Sequence, residues 1–229
     1  LTFLYFYYTL LPLCLTARQE NLQKELLTVN TVIFPEYSGV RCLMMPFIQG
    51  DPDSIPVDYY PYREIVASTY LEAGVLGFLT IDESPAAKGT PHRGARAKFG
   101  RALHTEAGLI KGVYGWGPER PAWGGLRNVT LDPDVEILLA NNLDGSCALW
   151  DAVHTDTSED GDIGDHADQY PYAEATFVRA GDVHRIGILT PHESLPVAED
   201  VDRQFLRIVG SGVHGREPYF TTNPLVSAA

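Results

Sequence analysis

From Val135 onward the chain is a succession of short apolar runs separated by turn residues, with no helical period between them. VEILLA (135–140) leads to an Asn141–Gly145 turn, SCALWDAV (146–153) to a polar loop, and AEATFV (173–178) to an Ala180–Asp182 turn; VHRIGIL (183–189) and RQFLRIV (203–209) complete the series. Short β-elements at regular spacing without crossover helices describe a sandwich, a jelly roll or a double-stranded β-helix. Periodicity does not choose among the three, so the choice falls to the polar side chains.

The upstream part supports such a core. The spacing predicts a helix over 17–27, short strands over 31–34 and 41–47, a Pro/Asp/Tyr loop over 50–62, and a second helix over 62–73. GVLGFLTI (74–81) is apolar on both alternating faces and must be covered on both. The expectation is a mainly β (α+β) chain forming a single domain over 1–229. Residues 1–73 would be buttressing helices and strands, and 74–224 a jelly-roll or cupin-like core.

With 45% hydrophobic residues, 229 residues can bury a sizeable core. The 17 basic and 30 acidic side chains give a formal charge of -13, a field that repels phosphate backbones and anionic lipid surfaces. Neither nucleic acid nor a membrane is therefore an expected partner. Cys14, Cys42 and Cys147 are odd in number and widely spaced, which gives neither a disulfide framework nor a zinc knuckle. The apolar run Leu1–Thr16 is too short to span a bilayer as a helix. A signal remnant cut near Ala17 and a buried strand remain alternatives for it, so the compartment stays open, with the cytoplasm favoured.

Three polar clusters carry the chemistry. His104 and Glu106 are two residues apart, so on an extended strand both project to the same side. Two histidines and one carboxylate make a facial metal site with open positions, which here needs one more histidine from a distant strand. His192, in the Thr190–Pro196 stretch TPHESLP, is the best candidate. Arg203 and Arg207 follow it by eleven and fifteen residues, in phase with Phe205 and Val209 on one strand face. A guanidinium turned into a β-core needs an anion, since an unpaired buried charge costs several kcal/mol. A bound acid would serve, and the competing partners are Glu199, Asp200 and Asp202, nearby in sequence.

The order HxE, then a distant His followed by Arg at eleven and fifteen residues, resembles the iron(II)/2-oxoglutarate-dependent dioxygenase superfamily, particularly its taurine dioxygenase branch. The run TPHESLP…RQFLRIV, together with Thr221-Thr222-Asn223-Pro224, resembles an uncharacterised group of such proteins. The resemblance spans about 44–224. It implies a double-stranded β-helix with iron(II) held by His104, Glu106 and His192. Arg203 is the favoured clamp for the far carboxylate of 2-oxoglutarate, with Arg207 second. The implied reaction is oxidative decarboxylation coupled to hydroxylation of a small molecule or peptide.

Glu106 stands where Asp is commoner in this family, which lengthens that ligand by one methylene. His184, eight residues before His192, competes for the distal position because an even spacing within one strand aims both side chains the same way. A cupin-like metalloenzyme without 2-oxoglutarate, using His104, Glu106, His184 and His192, is one rival. A non-enzymatic jelly-roll binding or structural module is the other.

Further features have weaker claims. The stretch 88–101 holds Lys88, Arg93, Arg96, Lys98 and Arg101 without an acid, so Arg101, His92 and Arg93 could face an anionic substrate; a solvated loop is the competing reading. Trp116, with Trp123, Trp150 and Tyr114, could wall a substrate pocket or simply fill core. The acidic stretch 151–168 mimics a calcium loop but has Ala167 at the position of the bidentate carboxylate, so a surface loop or lid is expected. Asn128-Val129-Thr130 is a glycosylation pattern that counts only in a secreted chain.

Overall fold

A computed structural model describes residues 27–91, 100–106, 135–156, 161–210 and 223–226. Ten strands build it: β1 (Leu27–Thr31), β2 (Arg41–Ile48), β3 (Leu76–Ala86), β4 (Leu103–His104), β5 (Glu136–Asn141), β6 (Cys147–Leu149), β7 (Thr176–Phe177), β8 (Asp182–Gly187), β9 (His192–Ser194) and β10 (Val201–Val209). They form two antiparallel sheets, a large one in the order β1-β8-β5-β10-β3-β2 and a small one in the order β4-β9-β6-β7.

From β3 to β10 the chain passes from one sheet to the other at every connection except β6 to β7. That winding is a double-stranded β-helix, the eight-stranded jelly roll, with β1 and β2 added at the edges of the large sheet. Its consequence for function is direct. The short strands β4 and β9 are neighbours in the small sheet, although nearly the whole barrel separates them in sequence.

Alternation sorts the large sheet into two faces. On β10, Leu206 and Ile208 point outward and pack with Leu43, Met45, Leu79, Ile81, Leu138 and Ala140, under a cover that includes Tyr62, Ile65 and Val66. Val209 and Phe205 point inward, with Met44, Phe78, Ile137 and Leu139, and meet Cys147 and Leu149 of the small sheet. A third cluster, with Leu103, Ala148, Trp150, Ile163 and Tyr170, backs the small sheet. Both faces of β3 are thus covered, as its apolar run requires.

The inner face of β3 is polar in its second half. Thr80, Asp82 and Ser84 are fully buried and lie opposite Arg207, Phe205 and Arg203 of β10. On its outer face, buried Glu83 accepts from Tyr62 Oη and Gln204 Nε2, each at 2.9 Å, and pairs with Arg41. This network fastens the covering segment to the sheet.

Several elements differ from the sequence expectation. The second helix spans only Arg63–Ser68, preceded by a 3-10 segment Val57–Tyr62. It stops because the Ser68 hydroxyl donates back to the carbonyls of Glu64 and Ile65, Thr69 turns extended, and Gln49 Oε1 captures the backbone N–H of Leu71. The first strand lies at Leu27–Thr31 rather than over 31–34. Gly181, at φ 80°, makes the turn into β8; its carbonyl accepts from Val32 N, and a Cβ there would sit 2.4 Å from the Val32 carbonyl oxygen. The 17–26 part of the first helix and the Leu1–Thr16 run lie outside the described residues. Among the described residues no helix is long and apolar enough to cross a membrane.

Candidate metal centre

Strand β4 is two residues long, and antiparallel pairing sets His104 directly opposite His192 of β9. Both imidazoles project to the interior of the barrel, with ring centroids 4.0 Å apart. Glu106, two residues beyond His104, returns to the same side. One ligand atom from each of His104, Glu106 and His192 lies within 4.8 Å of the others, the one such His/Cys/Asp/Glu group among the described residues. Three side chains remote in sequence thus come together in the fold as a candidate metal site.

Backbone carbonyls orient both rings. His104 Nδ1 lies 3.0 Å from the Ala102 carbonyl oxygen and His192 Nδ1 lies 2.9 Å from that of Thr190. A carbonyl only accepts, so each Nδ1 carries a proton and Nε2 is the nitrogen of each ring turned toward the cluster. His192 Nε2 is 3.5 Å from Glu106 Oε1. The other carboxylate oxygen, Oε2, accepts from Arg207 Nη1 at 2.9 Å, and Arg207 Nη2 reaches Thr80 Oγ1 at 3.3 Å. Arg207 thus holds one oxygen of the carboxylate and leaves the other turned toward the histidines.

The electrostatics favour the protonation states a cation needs. Burial, reinforced by the neighbouring His192, lowers the His104 pKa to about 3, so its ring is neutral. Burial alone would raise the Glu106 carboxyl, but Arg207 and the two histidines outweigh it and hold it well below the usual carboxylate range. A neutral His104 ring and an ionised Glu106 carboxylate, with the His192 ring held opposite them, fit a divalent transition metal.

The depressed His104 pKa has a measurable consequence in the metal-free protein. Between pH 6.5 and about 3 the unfolded chain binds a proton at this position that the folded chain does not. The stability linked to His104 is therefore complete above pH 6.5 and falls as pH drops through that window, by at most about 1.4 kcal/mol per pH unit. Glu106 adds a further loss below about pH 4.3. Urea unfolding at pH 7, 6 and 5 will show the decline, and His104→Gln will flatten it; equal slopes in the two proteins would contradict the assignment.

The remaining candidates are distributed around this centre. Arg203 also points inward, 4% exposed, with its guanidinium carbon 5.0 Å from the Phe205 ring centroid and Nη1 lacking a hydrogen-bond partner. Burial lowers its pKa, and the acid that opposes this effect is Asp82 of the adjacent strand β3. Asp82 is thus a different acid from the competing partners nearby in sequence. Asp202 has the opposite parity on β10, and Asp200 accepts from the backbone N–H of Lys88.

His184 does not join the three. It sits on β8 of the large sheet, in one cross-strand row with Leu139 and Arg207, buried and with both ring nitrogens lacking hydrogen-bond partners. Arg101 lies behind the small sheet, on the face away from the histidines, where it pairs with Glu193. His92, Arg93 and Trp116 lie outside the described residues, as do most of the 88–101 basic stretch, Trp123, Tyr114 and Asn128.

Two features escaped sequence reading. The polar alternation Thr80, Asp82, Ser84 within an otherwise apolar strand was the visible sign that β3 faces the arginines. The acidic loop is not simply a lid or surface loop: Gly161–Ile163 pairs with the free edge of β4, through Thr105 N to Gly161 O at 2.8 Å and Ile163 N to Leu103 O at 3.2 Å. The 157–160 part of the calcium-like pattern lies outside the described residues.

No protein-family model matches this sequence, and no curated protein matches it. Among solved structures the chain is similar to a cupin protein from Bacteroides fragilis, at 14% identity over 67% of this chain and 79% of that one, with a TM-score of 0.26. The jelly-roll assignment rests on the strand order itself. A candidate His-Glu-His metal site inside that barrel is the functional statement the geometry carries.

Proposed function

We propose that this chain is a mononuclear metal-dependent oxygenase that uses iron(II) and 2-oxoglutarate to hydroxylate a small molecule or peptide. The observation that carries the reading is the convergence of His104, Glu106 and His192 in a barrel whose inner face also carries a buried Arg203 with an unpartnered Nη1. Three protein donors leave coordination positions open, which a chelating acid and dioxygen require. Iron(II) with 2-oxoglutarate and dioxygen supplies oxidative decarboxylation of the keto acid coupled to C–H hydroxylation.

The chain's own residues do the rest. His104 and His192 would offer Nε2 to the metal, with Nδ1 of each ring held by the Ala102 and Thr190 carbonyls. Glu106 offers Oε1 while Arg207 restrains Oε2, so Arg207 is committed to the ligand and Arg203 is the better receptor for the distal carboxylate. Phe205, Met44 and Leu139 pack apolar surface between the buried polar side chains of the inner face. A dry surround strengthens each charge-assisted contact.

A second reading, a cupin-like metalloprotein that works without 2-oxoglutarate, is favoured by one observation. Asp82 already supplies a negative field to Arg203, which reduces the need for an external acid. Its four-ligand form with His184 is not supported, because His184 stands apart from the cluster.

Anaerobic addition of 2-oxoglutarate to the iron(II)-loaded protein separates the readings. The oxygenase develops the weak visible charge-transfer band of a chelated keto acid. Arg203→Lys, which keeps a cation beside Asp82 but loses the fork, should retain iron and weaken 2-oxoglutarate by about 10- to 100-fold. Iron binding without any band would leave the cupin-like reading, and no metal uptake would leave a jelly-roll binding module.

A further inference from the structure

The face of the small sheet that points away from the metal centre carries a second polar assembly, built on the same two strands. Arg101 Nε and Nη2 both donate to Glu193 Oε2, at 3.0 and 2.7 Å, and Nη1 donates to the carbonyls of Ala167 and Tyr170 at 2.8 and 2.9 Å. The guanidinium carbon lies 4.5 Å from the Tyr172 ring centroid and 5.3 Å from that of Trp150. Tyr172 Oη donates to Glu193 Oε1 at 3.1 Å, so both carboxylate oxygens are held. The pair is largely buried, with side chains 17% and 3% exposed.

Position gives this assembly its meaning. Glu193 immediately follows His192, and Arg101 immediately precedes Ala102, whose carbonyl orients the His104 ring. Strand β4 is only two residues long, so few backbone hydrogen bonds fix its distance and tilt relative to β9. Leu103, between Arg101 and His104, is the residue paired with Glu193. A planar fork that is doubly bonded, stacked and buried tolerates little movement, whereas a two-residue strand by itself tolerates much.

We propose that Arg101 and Glu193 are positioning residues that set the separation of the two ligand strands from the reverse face of the sheet, so that the metal affinity of His104, Glu106 and His192 depends on a salt bridge that touches none of them. This rests on the metal reading given above. Groups that orient ligands from outside the coordination sphere are commonly worth 10- to 100-fold in metal affinity.

The test is cobalt(II) titration of the full chain, following the visible ligand-field bands, with Arg101→Gln, Glu193→Gln, Arg101→Lys and, as a control, Arg41→Gln. The control breaks the Arg41–Glu83 pair on the outer face of the large sheet. We expect Arg101→Gln and Glu193→Gln to weaken cobalt by 10- to 100-fold and to shift the bands, and Arg101→Lys to recover only part of the loss. Arg41→Gln should lower the thermal midpoint yet leave affinity and bands unchanged. If Arg101→Gln does not fold, Glu193→Gln, which keeps an acceptor for the guanidinium, carries the same test. Wild-type cobalt binding with wild-type affinity and bands in the folded variants would overturn the inference alone; a wild type that takes up no cobalt would overturn the metal reading and the inference with it.

Discussion

Replacing His192 with alanine is expected to abolish stoichiometric metal binding, while replacing His184 leaves it intact. The two residues separate the competing assignments cleanly because the fold puts them in different sheets. His192 is strand-paired with His104 and its Nε2 faces Glu106, so its loss removes one of three donors and should cost more than the roughly 100-fold seen when only an orienting group is removed. His184 is on β8, beyond Leu139 in the row that contains Arg207, and contributes no ligand atom to the cluster. Equilibrium dialysis with manganese(II) or cobalt(II) reads both variants directly. Loss of binding in His184→Ala with retention in His192→Ala would reverse the assignment.

Arg207→Leu should have the largest effect on the metal-free fold. It leaves Glu106 ionised, buried and without its guanidinium, a situation that typically costs about 3–5 kcal/mol. For a chain of this size that corresponds to a fall of about 6–20 °C in thermal midpoint. Two further measurements identify the cause. Adding Glu106→Gln to Arg207→Leu removes the stranded charge and should recover most of the loss. A divalent metal should raise the midpoint of Arg207→Leu more than that of the wild type, since the cation then replaces the missing positive charge beside Glu106. A wild-type midpoint in Arg207→Leu would show that the carboxylate does not depend on the arginine.

Much of the core was legible because strand periodicity and turn residues are local properties. RQFLRIV, VEILLA and VHRIGIL became β10, β5 and β8 within a residue or two. The shared facing of two members of the candidate site was legible through spacing: the two-residue step from His104 to Glu106 survives on any extended strand. His184 does face the interior, in the row of Leu139 and Arg207, but a shared facing does not bring it to the cluster. The chain leaves the large sheet after Gly187, turns through the Thr190 N to Gly187 O hydrogen bond, and enters the small sheet at His192, so the two rings stand on different sheets.

The division of labour between Arg203 and Arg207 lay beyond the sequence, where both have the same phase on one strand. What separates them is register: Arg207 lies opposite Thr80 and at the level of Glu106, whereas Arg203 lies opposite Ser84, two inward-facing positions further along β10. The Arg101–Glu193 pair was equally hidden, since it joins residues brought together only by the β4–β9 ladder. Composition spoke to none of these details.

X-ray absorption at the iron edge of protein loaded with one equivalent of iron(II) tests the central claim most directly. The account predicts a first shell of nitrogen and oxygen donors with the multiple scattering of two imidazoles, and loss of that scattering in His192→Ala, which no longer retains the ion. An all-oxygen shell like that of the hydrated ion in the wild type, or a spectrum unchanged by that substitution, would contradict it.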